Sequence, residues 1–413
     1  MKNSSEPKVS IVIPTYNRAH LVTKAIESVL QQNFQNLQLI VVDDGSVDNT
    51  RDCVARFSDP RLLYLFRENG RTGAALNTGI AASRGELFAF LGSDDAYLPE
   101  FVQTHVEFLD QHPEIGLVGS GMQVVAPDGQ LIRESQPWLL GPEWDVSTWL
   151  HECRFGGAAM MRRTWLDRVG GFDASLKLLF DWDLFLRLAY AGCQSACLER
   201  SLYLALQHSG RLQRDIRSVE EAITAVLDKF FSQPDLPEQI AALANSAYAR
   251  GLLRAARFGY AGGDNALAAD AVARAIEQDP SLLHGDDEQV YPYLLEMADS
   301  HFVKDPVGYA KAVFDHLPPA AQGLRRRRGK GIAVAAMITF FRAHRRQDWR
   351  AARCALGQAL RHDPSWLCDR GVLSVSMETL LGPKCMDKAR SAFRRLLGSQ
   401  RENPEILGGR GDE

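Results

Sequence analysis

The sequence predicts an α/β fold with a mostly parallel sheet, followed by an all-α domain of helical hairpins. Two observations support this prediction. From residue 9 to about residue 216, short apolar segments with strand character alternate with segments of helical periodicity, a pattern typical of a parallel sheet covered by helices on both faces. After about residue 217, strand character nearly disappears and Ala, Leu and Arg become frequent. We therefore predict two domains, residues 1–217 and residues 218–413.

The first domain begins with four strand segments separated by helices. The strands are expected at residues 9–13, 37–42, 62–66 and 87–91, and the helices at residues 19–32, 47–57 and 73–83. In sheets of this kind, ligands bind beyond the carboxyl ends of the strands. Polar clusters stand at three of these ends: Thr15-Tyr16-Asn17, Asp43-Asp44-Gly45-Ser46 and Ser93-Asp94-Asp95. We therefore expect a ligand site at this edge of the sheet.

The second domain contains two similar segments, residues 264–282 and 348–366. The first includes AVARAIEQDPSL and the second ALGQALRHDPSW, so that Pro280 aligns with Pro364, 84 residues later. Each segment follows a helical stretch that could form the first arm of a hairpin, residues 241–258 and 331–344. Small residues within the helices and Asp-Pro at their end are similar to tetratricopeptide units. Because 84 is not a multiple of their usual period of about 34, we predict a repeat-like domain and not a regular array.

The composition limits the classes of partner and the compartment. The 413-residue chain has a net charge of -4, which argues against nucleic acid as a partner. Its longest apolar stretch, residues 331–341, is shorter than the ~20 residues that span a bilayer, and the polar N-terminus does not resemble a signal peptide. The seven cysteines form no CxxC pair, so we interpret them as reduced core thiols. We expect a cytoplasmic protein.

Two pairs of acids are the candidate chemical groups. Asp94 and Asp95 follow a strand, where one carboxylate could bind a hard divalent cation and the other ribose hydroxyls. Asp181 and Asp183 lie in the apolar run of residues 178–187, and an apolar setting raises the pKa of a carboxyl toward that of a useful general base. For both pairs the alternative is capping of a helix N-terminus. Together they would suit group transfer from a diphosphate, which needs a cation at the leaving group and a base for the acceptor.

Five segments in order resemble family 2 of the glycosyltransferases, which has the GT-A fold. They are VSIVIPTYNR, LIVVDDGSVDNT, NGRTGAALNTGIAASRGE, FLGSDDAYLP and GGFDASLKLLFDWDLFLRLAYAG. The resemblance covers about residues 8–215. It implies a GT-A nucleotide-diphospho-sugar transferase, which moves a sugar from a nucleoside-diphosphate sugar to a hydroxyl acceptor with the help of a divalent cation, Mn or Mg.

The resemblance also implies roles for individual residues at the nucleotide. Pro14, Thr15 and Tyr16 match the segment that holds the base, with Tyr16 stacking on it. Asp44 is similar to the acid that hydrogen-bonds the base, and Arg71 to a basic residue beside the nucleotide.

Further matches lie around the diphosphate and the acceptor. Asp94 resembles the acid on the ribose side, close to the metal, and Asp95 resembles the metal ligand. His208 stands where such enzymes often carry a histidine beside the diphosphate or metal. Asp181 matches the catalytic base, and Asp183 matches a structural or auxiliary acid.

The chain departs from the family pattern at two positions. Gly92 and Phe180 replace an Asp and a Glu that many members carry, which removes one acid near the metal and one beside the base. The Gln-x-x-Arg-Trp pattern of processive members is also missing after Gln207. A non-processive enzyme follows, and a single displacement at the anomeric carbon inverts its configuration.

Alternatives to this function remain. The first is a catalytically weak scaffold whose helical half binds a protein partner, an interpretation that Gly92 and Phe180 favour. The second is a nucleotidyltransferase, which would need a Gly-rich loop where residues 14–17 read Pro-Thr-Tyr-Asn.

The resemblance suggests cell-surface glycan (polysaccharide) synthesis, with a glycan, lipid-linked or protein acceptor. Acceptor choice is expected in the loops of residues 120–155, where Trp138, Trp144 and Trp149 either stack on a sugar or fill a core. In the helical half, basic residues concentrate on what is either a solvated face or a face for peripheral contact with an anionic membrane or a lipid-diphosphate. They are Arg325, Arg326, Arg327, Arg328, Lys330, Arg342, Arg345, Arg346, Arg350 and Arg353.

Overall fold

A computed structural model describes residues 6–140, 144–151, 153, 155–207, 215–283, 290–300 and 302–381. Contacts divide the chain into two compact units. The first comprises Met1–Phe302 and His316–Gln322, and the second comprises Val303–Asp315 and Gly323–Glu413. The helices that follow the sheet up to residue 302 thus belong to the same compact unit as the sheet. The domain boundary at residue 217 stays a prediction.

The first unit is built on a nine-stranded mixed sheet. Its strands are β1 Val9–Thr15, β2 Leu37–Asp43, β3 Leu62–Phe66, β4 Leu87–Phe90, β5 Asp95–Tyr97, β6 Ile115–Val125, β7 Leu131–Ser135, β8 Ala159–Arg162 and β9 Gln194–Leu206. Their order in space is β3-β2-β1-β4-β8-β6-β9-β5, and β7 pairs with β6 beside this path. The predicted fold class, an α/β GT-A fold followed by helices, is confirmed.

The sheet is parallel only in part, which corrects the expectation of a mostly parallel one. Strands β1 to β4 pair in parallel, as does β6 with β9. Strand β8 runs antiparallel to β4 and β6, β5 runs antiparallel to β9, and β7 antiparallel to β6. Two of these antiparallel strands, β5 and β8, have only three and four residues. Such short segments carry too little periodicity to be recognised in a sequence.

Seven helices accompany the strands. They are α1 Val22–Leu30, α2 Thr50–Val54, α3 Arg71–Ala82, α4 Phe101–Gln111, α5 Val146–His151, α6 Arg163–Val169 and α7 Phe180–Tyr190. Strands β1, β2 and β4 are buried along nearly their whole length because helices cover both of their faces. Helix α3 approaches β1 so closely that a Cβ on Gly79 would lie 2.4 Å from a methyl carbon of Val12. This packing holds the start of α3 near the carboxyl edge of the sheet.

Five further helices complete the first unit. They are α8 Ile216–Phe231, α9 Glu238–Ala241, α10 Ala244–Gly262, α11 Asn265–Gln278 and α12 Val290–Leu295. Helix α8 begins at an Asp215 N-cap, which accepts a hydrogen bond from the Ser218 backbone N–H at 2.9 Å. Helices α10 and α11 form the first predicted hairpin, with Gly263 in the left-handed conformation between them.

The second unit contains α13 Pro306–Asp315, α14 Arg328–Arg345, α15 Trp349–His362 and α16 Arg370–Leu381. Helices α14 and α15 are the second predicted hairpin. Both hairpins end in the same turn: the aspartate before the proline accepts from the serine N–H and hydroxyl that follow it, Asp279 from Ser281 and Asp363 from Ser365. The sequence similarity at Asp-Pro-Ser therefore reflects a shared local structure.

The cysteines and the apolar helices bear on the expected compartment. All six cysteines in the described part of the chain are free, but Cys354 and Cys368 are exposed. The expectation of core thiols is therefore wrong for these two. Among the helices described, none is long and apolar enough to cross a membrane.

Candidate active site

The loops after β1 and β2 are joined at the carboxyl edge of the sheet. The Asp44 N–H donates to the Thr15 carbonyl at 2.8 Å. The Asn17 N–H donates to Ser46 Oγ at 2.8 Å, and Asn17 Oδ1 accepts from the Val47 N–H at 2.9 Å. Asn17 reaches this position in the left-handed conformation, with a φ of 51°, which asparagine tolerates better than most residues. The two loops therefore form one firm edge.

Two predicted nucleotide-binding residues lie on this edge with complementary environments. The Tyr16 side chain is 48% exposed, so its ring presents a face to which a base could stack. Thr15 is buried, and its Oγ1 has no hydrogen-bond partner in the described residues. A buried hydroxyl without a partner is costly, and a bound ligand could supply the missing bond. Pro14, the last of this predicted group, is a half-buried residue of β1.

Asp44 is buried, and the segment from Arg67 to Gly70 binds its carboxylate. Its carboxylate forms an ion pair with Arg67 and accepts from the Gly70 N–H at 3.0 and 3.1 Å. Arg71 follows at the start of α3, also with a positive φ of 73°, and donates to the Ser175 carbonyl at 3.2 Å. Asp44 and Arg71 thus both lie at the amino end of α3.

Asp94 and Asp95 are adjacent but have different surroundings. Asp95 is 5% exposed; its Oδ2 accepts from the Tyr203 hydroxyl at 2.5 Å, and its Oδ1 from the Leu206 N–H at 3.1 Å. The Asp94 side chain is 19% exposed, and its Oδ2 lies 3.9 Å from a guanidinium nitrogen of Arg18. Of the two carboxylates, Asp94 is the more accessible to a ligand.

Gly92 lies close against both acids. A Cβ at this position would lie 3.0 Å from Asp94 Oδ1 and 3.0 Å from Asp95 Oδ2. The acid that many relatives carry here would therefore stand directly against this pair. No group of three His, Cys, Asp or Glu side chains able to hold a metal occurs among the described residues. His208, the third predicted metal residue, lies outside them.

The second acidic pair lies in the first turn of α7. Asp181 is half-buried; its Oδ1 accepts from the Trp182 N–H at 2.9 Å, and its Oδ2 receives no hydrogen bond from the described part of the chain. Asp183 is 3% exposed and is paired twice, with Arg187 at 2.7 Å and with Lys229 at 2.8 Å. The two acids of this pair therefore differ in the same way as Asp94 and Asp95.

The segment of Gly156 and Gly157 connects the two pairs. A Cβ on Gly156 would lie 3.5 Å from Asp181 Oδ2, and a Cβ on Gly157 would lie 2.9 Å from the ring of Tyr203. Tyr203 in turn donates to Asp95. This short segment therefore lies against Asp181 directly and against Asp95 through Tyr203. Within it, Gly156 has a positive φ of 51°.

The sequence analysis missed several residues that organise the site. Arg18 could have been found, since it directly follows the polar cluster at the end of β1. Arg67, Tyr203 and Lys229 gave no signal, because each meets its acid only through the tertiary fold. Of the three tryptophans proposed as stacking residues or core, Trp144 and Trp149 are buried and pack on Phe155. These two fill the core.

A cavity of about 590 Å³ lies at the opposite edge of the sheet, where β2 and β3 begin. Its lining includes Arg61, whose guanidinium is already bound to Asp59, Gln35 and the Leu30 carbonyl. The guanidinium of Arg61 is therefore already engaged within the protein.

Comparison with known proteins identifies the family. The model of "Glycosyl transferase family 2" matches residues 10–170. An uncharacterized glycosyltransferase of Rickettsia prowazekii is 30% identical over 242 residues, which cover 55% of this chain and 74% of that protein. A Rickettsia typhi relative is 32% identical over 45% of this chain and 60% of its own length. The chondroitin synthase of Pasteurella multocida is 28% identical, over 45% of this chain and 19% of that enzyme.

Solved structures show weaker likeness. S. aureus TarS 1-349 in complex with UDP-GlcNAc is 18% identical, with a TM-score of 0.49 over 87% of this chain and 91% of that one. The mannosyltransferase PcManGT from Pyrobaculum calidifontis, in complex with GDP-Man and Mn2+, is 20% identical, with a TM-score of 0.48 over 75% and 88%. These values are too low to transfer a ligand or an acceptor. The match of the family model and the coverage of the Rickettsia prowazekii relative are sufficient by themselves: this chain belongs to glycosyl transferase family 2.

Proposed function

We propose that the chain is an inverting, non-processive glycosyltransferase that moves a sugar from a nucleoside-diphosphate sugar to a hydroxyl acceptor. The observation that carries this proposal is the contrast in the first turn of α7. Asp181 is half-buried and has one carboxylate oxygen that accepts nothing from the described residues, whereas Asp183 is buried between two cations. The helix therefore offers one carboxylate to a substrate.

One available carboxylate suits a single displacement. Asp181 would accept the proton of the acceptor hydroxyl. At the same time the acceptor oxygen bonds to the anomeric carbon, and the bond from that carbon to the diphosphate oxygen breaks. A retaining double displacement needs a second carboxylate as nucleophile, and Asp183 is committed to Arg187 and Lys229. Inversion at the anomeric carbon follows from this assignment.

The donor would lie along the carboxyl edge of the sheet. We assign the base to the exposed ring of Tyr16 and the buried carboxylate of Asp44, and a hydrogen bond from the ligand to Thr15 Oγ1. Pro14 shapes the backbone at this point, and Arg71 at the start of α3 contributes positive charge beside the nucleotide. These assignments use the loops that Asn17 and Ser46 already hold together.

A divalent cation, Mn or Mg, fits the acidic turn after β4. Such cations are usually bound by one or two carboxylates together with substrate phosphates, so a large cluster of protein ligands is not required. We assign the accessible carboxylate of Asp94 as the ligand, and we assign to Asp95 the positioning of that turn through Tyr203 and Leu206. His208 remains a candidate beside the diphosphate. When bound, the cation would neutralise charge on the leaving diphosphate.

Thermal unfolding with UDP, GDP and their sugars, with and without Mn²⁺, tests this proposal. Ligand that binds the native state raises its stability by about 2.7 kcal/mol at a hundredfold excess over Kd. We expect one nucleotide series to stabilise the chain, and more strongly with Mn²⁺. Proton NMR of the transferred sugar should then show the inverted anomeric configuration. If no nucleotide sugar stabilises the chain, the scaffold function is favoured instead.

The basic charge of the second unit supports a lipid-linked acceptor. Residues 323–381 contain twelve Lys or Arg against four Asp or Glu, and Arg345, Arg346 and Arg350 are exposed. We propose that this unit contacts an anionic membrane at its cytoplasmic side, where a lipid-linked acceptor for cell-surface glycan synthesis would be presented. Each basic residue near an anionic surface contributes about 1 kcal/mol, and salt weakens the attraction. Co-sedimentation should therefore show binding to anionic vesicles at low salt, lost at high salt. Binding to neither anionic nor neutral vesicles would favour a protein or soluble glycan acceptor.

A further inference from the structure

Lys229 of α8 connects the loop before α7 with the first turn of α7. Its ammonium nitrogen lies 2.6 Å from Asp173 Oδ2 and 2.8 Å from Asp183 Oδ1. Asp173 belongs to the loop before α7, and Asp183 to the first turn of that helix. Although partial burial acts to raise the pKa of Asp173, its hydrogen bonds, first of all that from Lys229, lower it to about 2. The Asp173 carboxylate is therefore ionised throughout the physiological pH range.

The proposed base lies between these two tied points. Leu179, which precedes α7, adopts the left-handed conformation with a φ of 59°, and no side chain caps the helix at this position. A bulky residue in that conformation is strained, so contacts from outside the turn must hold it. Asn77 holds the start of the loop through the N–H and carbonyl of Phe172. Lys229 holds both the next residue, Asp173, and the helix turn.

Helix α8 is well placed for this role because it packs along α7. The ring of Phe230 meets that of Tyr190 at 5.5 Å, edge to face. Helix α10 adds a second contact, with the guanidinium of Arg254 5.6 Å from the ring centroid of Trp182, the residue after Asp181. The helices that follow the sheet in the first unit therefore bear directly on the helix that carries the base.

We propose that Lys229 is a positioning residue for sugar transfer. It fixes the distance between the loop at Asp173 and the turn at Asp183, and so holds the Asp181 carboxylate in its reactive position without touching the substrate. The inference rests on the proposed function of Asp181 as the base. A displacement of about 1 Å in a reacting group can cost up to a hundredfold in rate, so loss of this tie should act on turnover.

Both acids bound by Lys229 have other bonding partners, so we expect the fold to persist without it. Without it, Asp183 keeps its ion pair with Arg187, which also binds the carbonyls of Val169 and Gly171. Asp173 keeps its bonds from the Ser175 N–H and hydroxyl. The Lys229 side chain is 40% exposed, and its removal leaves the buried Asp183 carboxylate paired with Arg187, so that no buried charge is left without a partner.

Three variants test the inference: Lys229→Met removes the tie, Lys229→Arg restores its charge, and Arg274→Met is the matched control. Arg274 of α11 forms an ion pair with Glu220, which lies elsewhere on α8. The measurements are Mn²⁺-dependent release of nucleoside diphosphate from UDP- and GDP-sugars, and backbone hydrogen exchange of residues 172–185. For Lys229→Met we expect kcat to fall about tenfold or more, donor KM to change less than twofold, and exchange to quicken. Lys229→Arg should recover most of kcat, and Arg274→Met should match the wild type in kcat and in this exchange.

Wild-type kcat and exchange in Lys229→Met, or an equal loss in Arg274→Met, would overturn the inference. The proposed function fails separately, if the wild type releases no nucleoside diphosphate or if Asp181→Asn releases it as fast as the wild type. In that case the exchange of residues 172–185 still decides whether Lys229 holds this segment.

Discussion

The turn after β4 and the first turn of α7 each carry two acids, and they use them in the same way. In each pair one carboxylate is buried and fully bonded: Asp95 by Tyr203 and Leu206, and Asp183 by Arg187 and Lys229. The other acid of each pair is more accessible. The partners seen in the described residues differ: Tyr203 and Leu206 give Asp95 neutral donors, whereas Asp183 lies between two cations.

We interpret this parallel as the means by which the proposed site keeps its accessible carboxylates in place. Accessible acids need freedom to meet a substrate, while the backbone that carries them must be rigid. A bonded acid next to each accessible one supplies that rigidity. The difference between the bonding partners also predicts different costs of removal, because an unpaired buried charge costs more than a lost neutral hydrogen bond.

The largest effects are expected when each of the two acids of α7 is replaced in turn. Asp181→Asn should lower turnover about 10²–10⁴-fold, as expected for a lost general base, with unchanged unfolding. Asp183→Asn should instead lower the free energy of unfolding by about 3 kcal/mol, because Arg187 and Lys229 lose their shared partner. Steady-state kinetics and urea unfolding of both variants measure these effects. An inactive but fully stable Asp183→Asn, with an active Asp181→Asn, would reverse the assignment.

His105 on α4 makes the stability of the fold depend on pH. Burial lowers the pKa of His105 to about 4, and its ring packs against that of Phe101, with centroids 4.0 Å apart and the planes tilted by 34°. The unfolded chain takes up this proton at about pH 6.5 and the folded chain only at about pH 4. Stability is therefore lost as the pH falls through this window, by about 3 kcal/mol in total.

His105→Phe should remove this loss of stability at low pH, because phenylalanine keeps an aromatic ring against Phe101 and does not titrate. We expect the difference in unfolding free energy between pH 7 and pH 4.5 to be smaller in the variant by about 2–3 kcal/mol. Urea unfolding followed by tryptophan fluorescence provides the measurement. If both proteins lose the same stability, His105 is protonated in the folded state. A pH–rate profile in the His105→Phe background then reports on the catalytic groups.

The smallest expected effects come from the turn after β4. Asp95→Asn should lower the free energy of unfolding by about 1–3 kcal/mol, since an amide nitrogen would face the Tyr203 hydroxyl or the Leu206 N–H. Asp94→Asn should leave stability within about 0.5 kcal/mol of the wild type and weaken Mn²⁺-dependent donor binding. Calorimetric titration of the donor with both variants would show whether the Mn²⁺ effect instead disappears only in Asp95→Asn. That result would return the metal to Asp95, as the resemblance implies.

The sequence predicts the first part of the fold well and the site only as a set of candidates. Strand β3 has the predicted bounds, and β1, β2 and β4 lie where apolar runs meet polar clusters, because these signals are local. The choice between neighbouring acids is not local. The Tyr203 hydroxyl reaches Asp95 across 108 positions, and Lys229 comes from a helix that no motif links to Asp183. The roles of Asp44, Arg71 and the other site residues stay predictions.

The long separation between Asp95 and its donors has a consequence for how the protein is made. Asp95 leaves the ribosome well before Tyr203 and Leu206, which follow it by 108 and 111 residues. At a synthesis rate of about 5–20 residues per second, its carboxylate stays in water for at least about five seconds. In the described part of the chain, strand β5 pairs with β9, so the parallel strands β1 to β4 are synthesised while the partner strand of the acidic turn is still missing. A nascent chain that ends before residue 203 therefore contains strands β1 to β4 but lacks the two donors that bind Asp95.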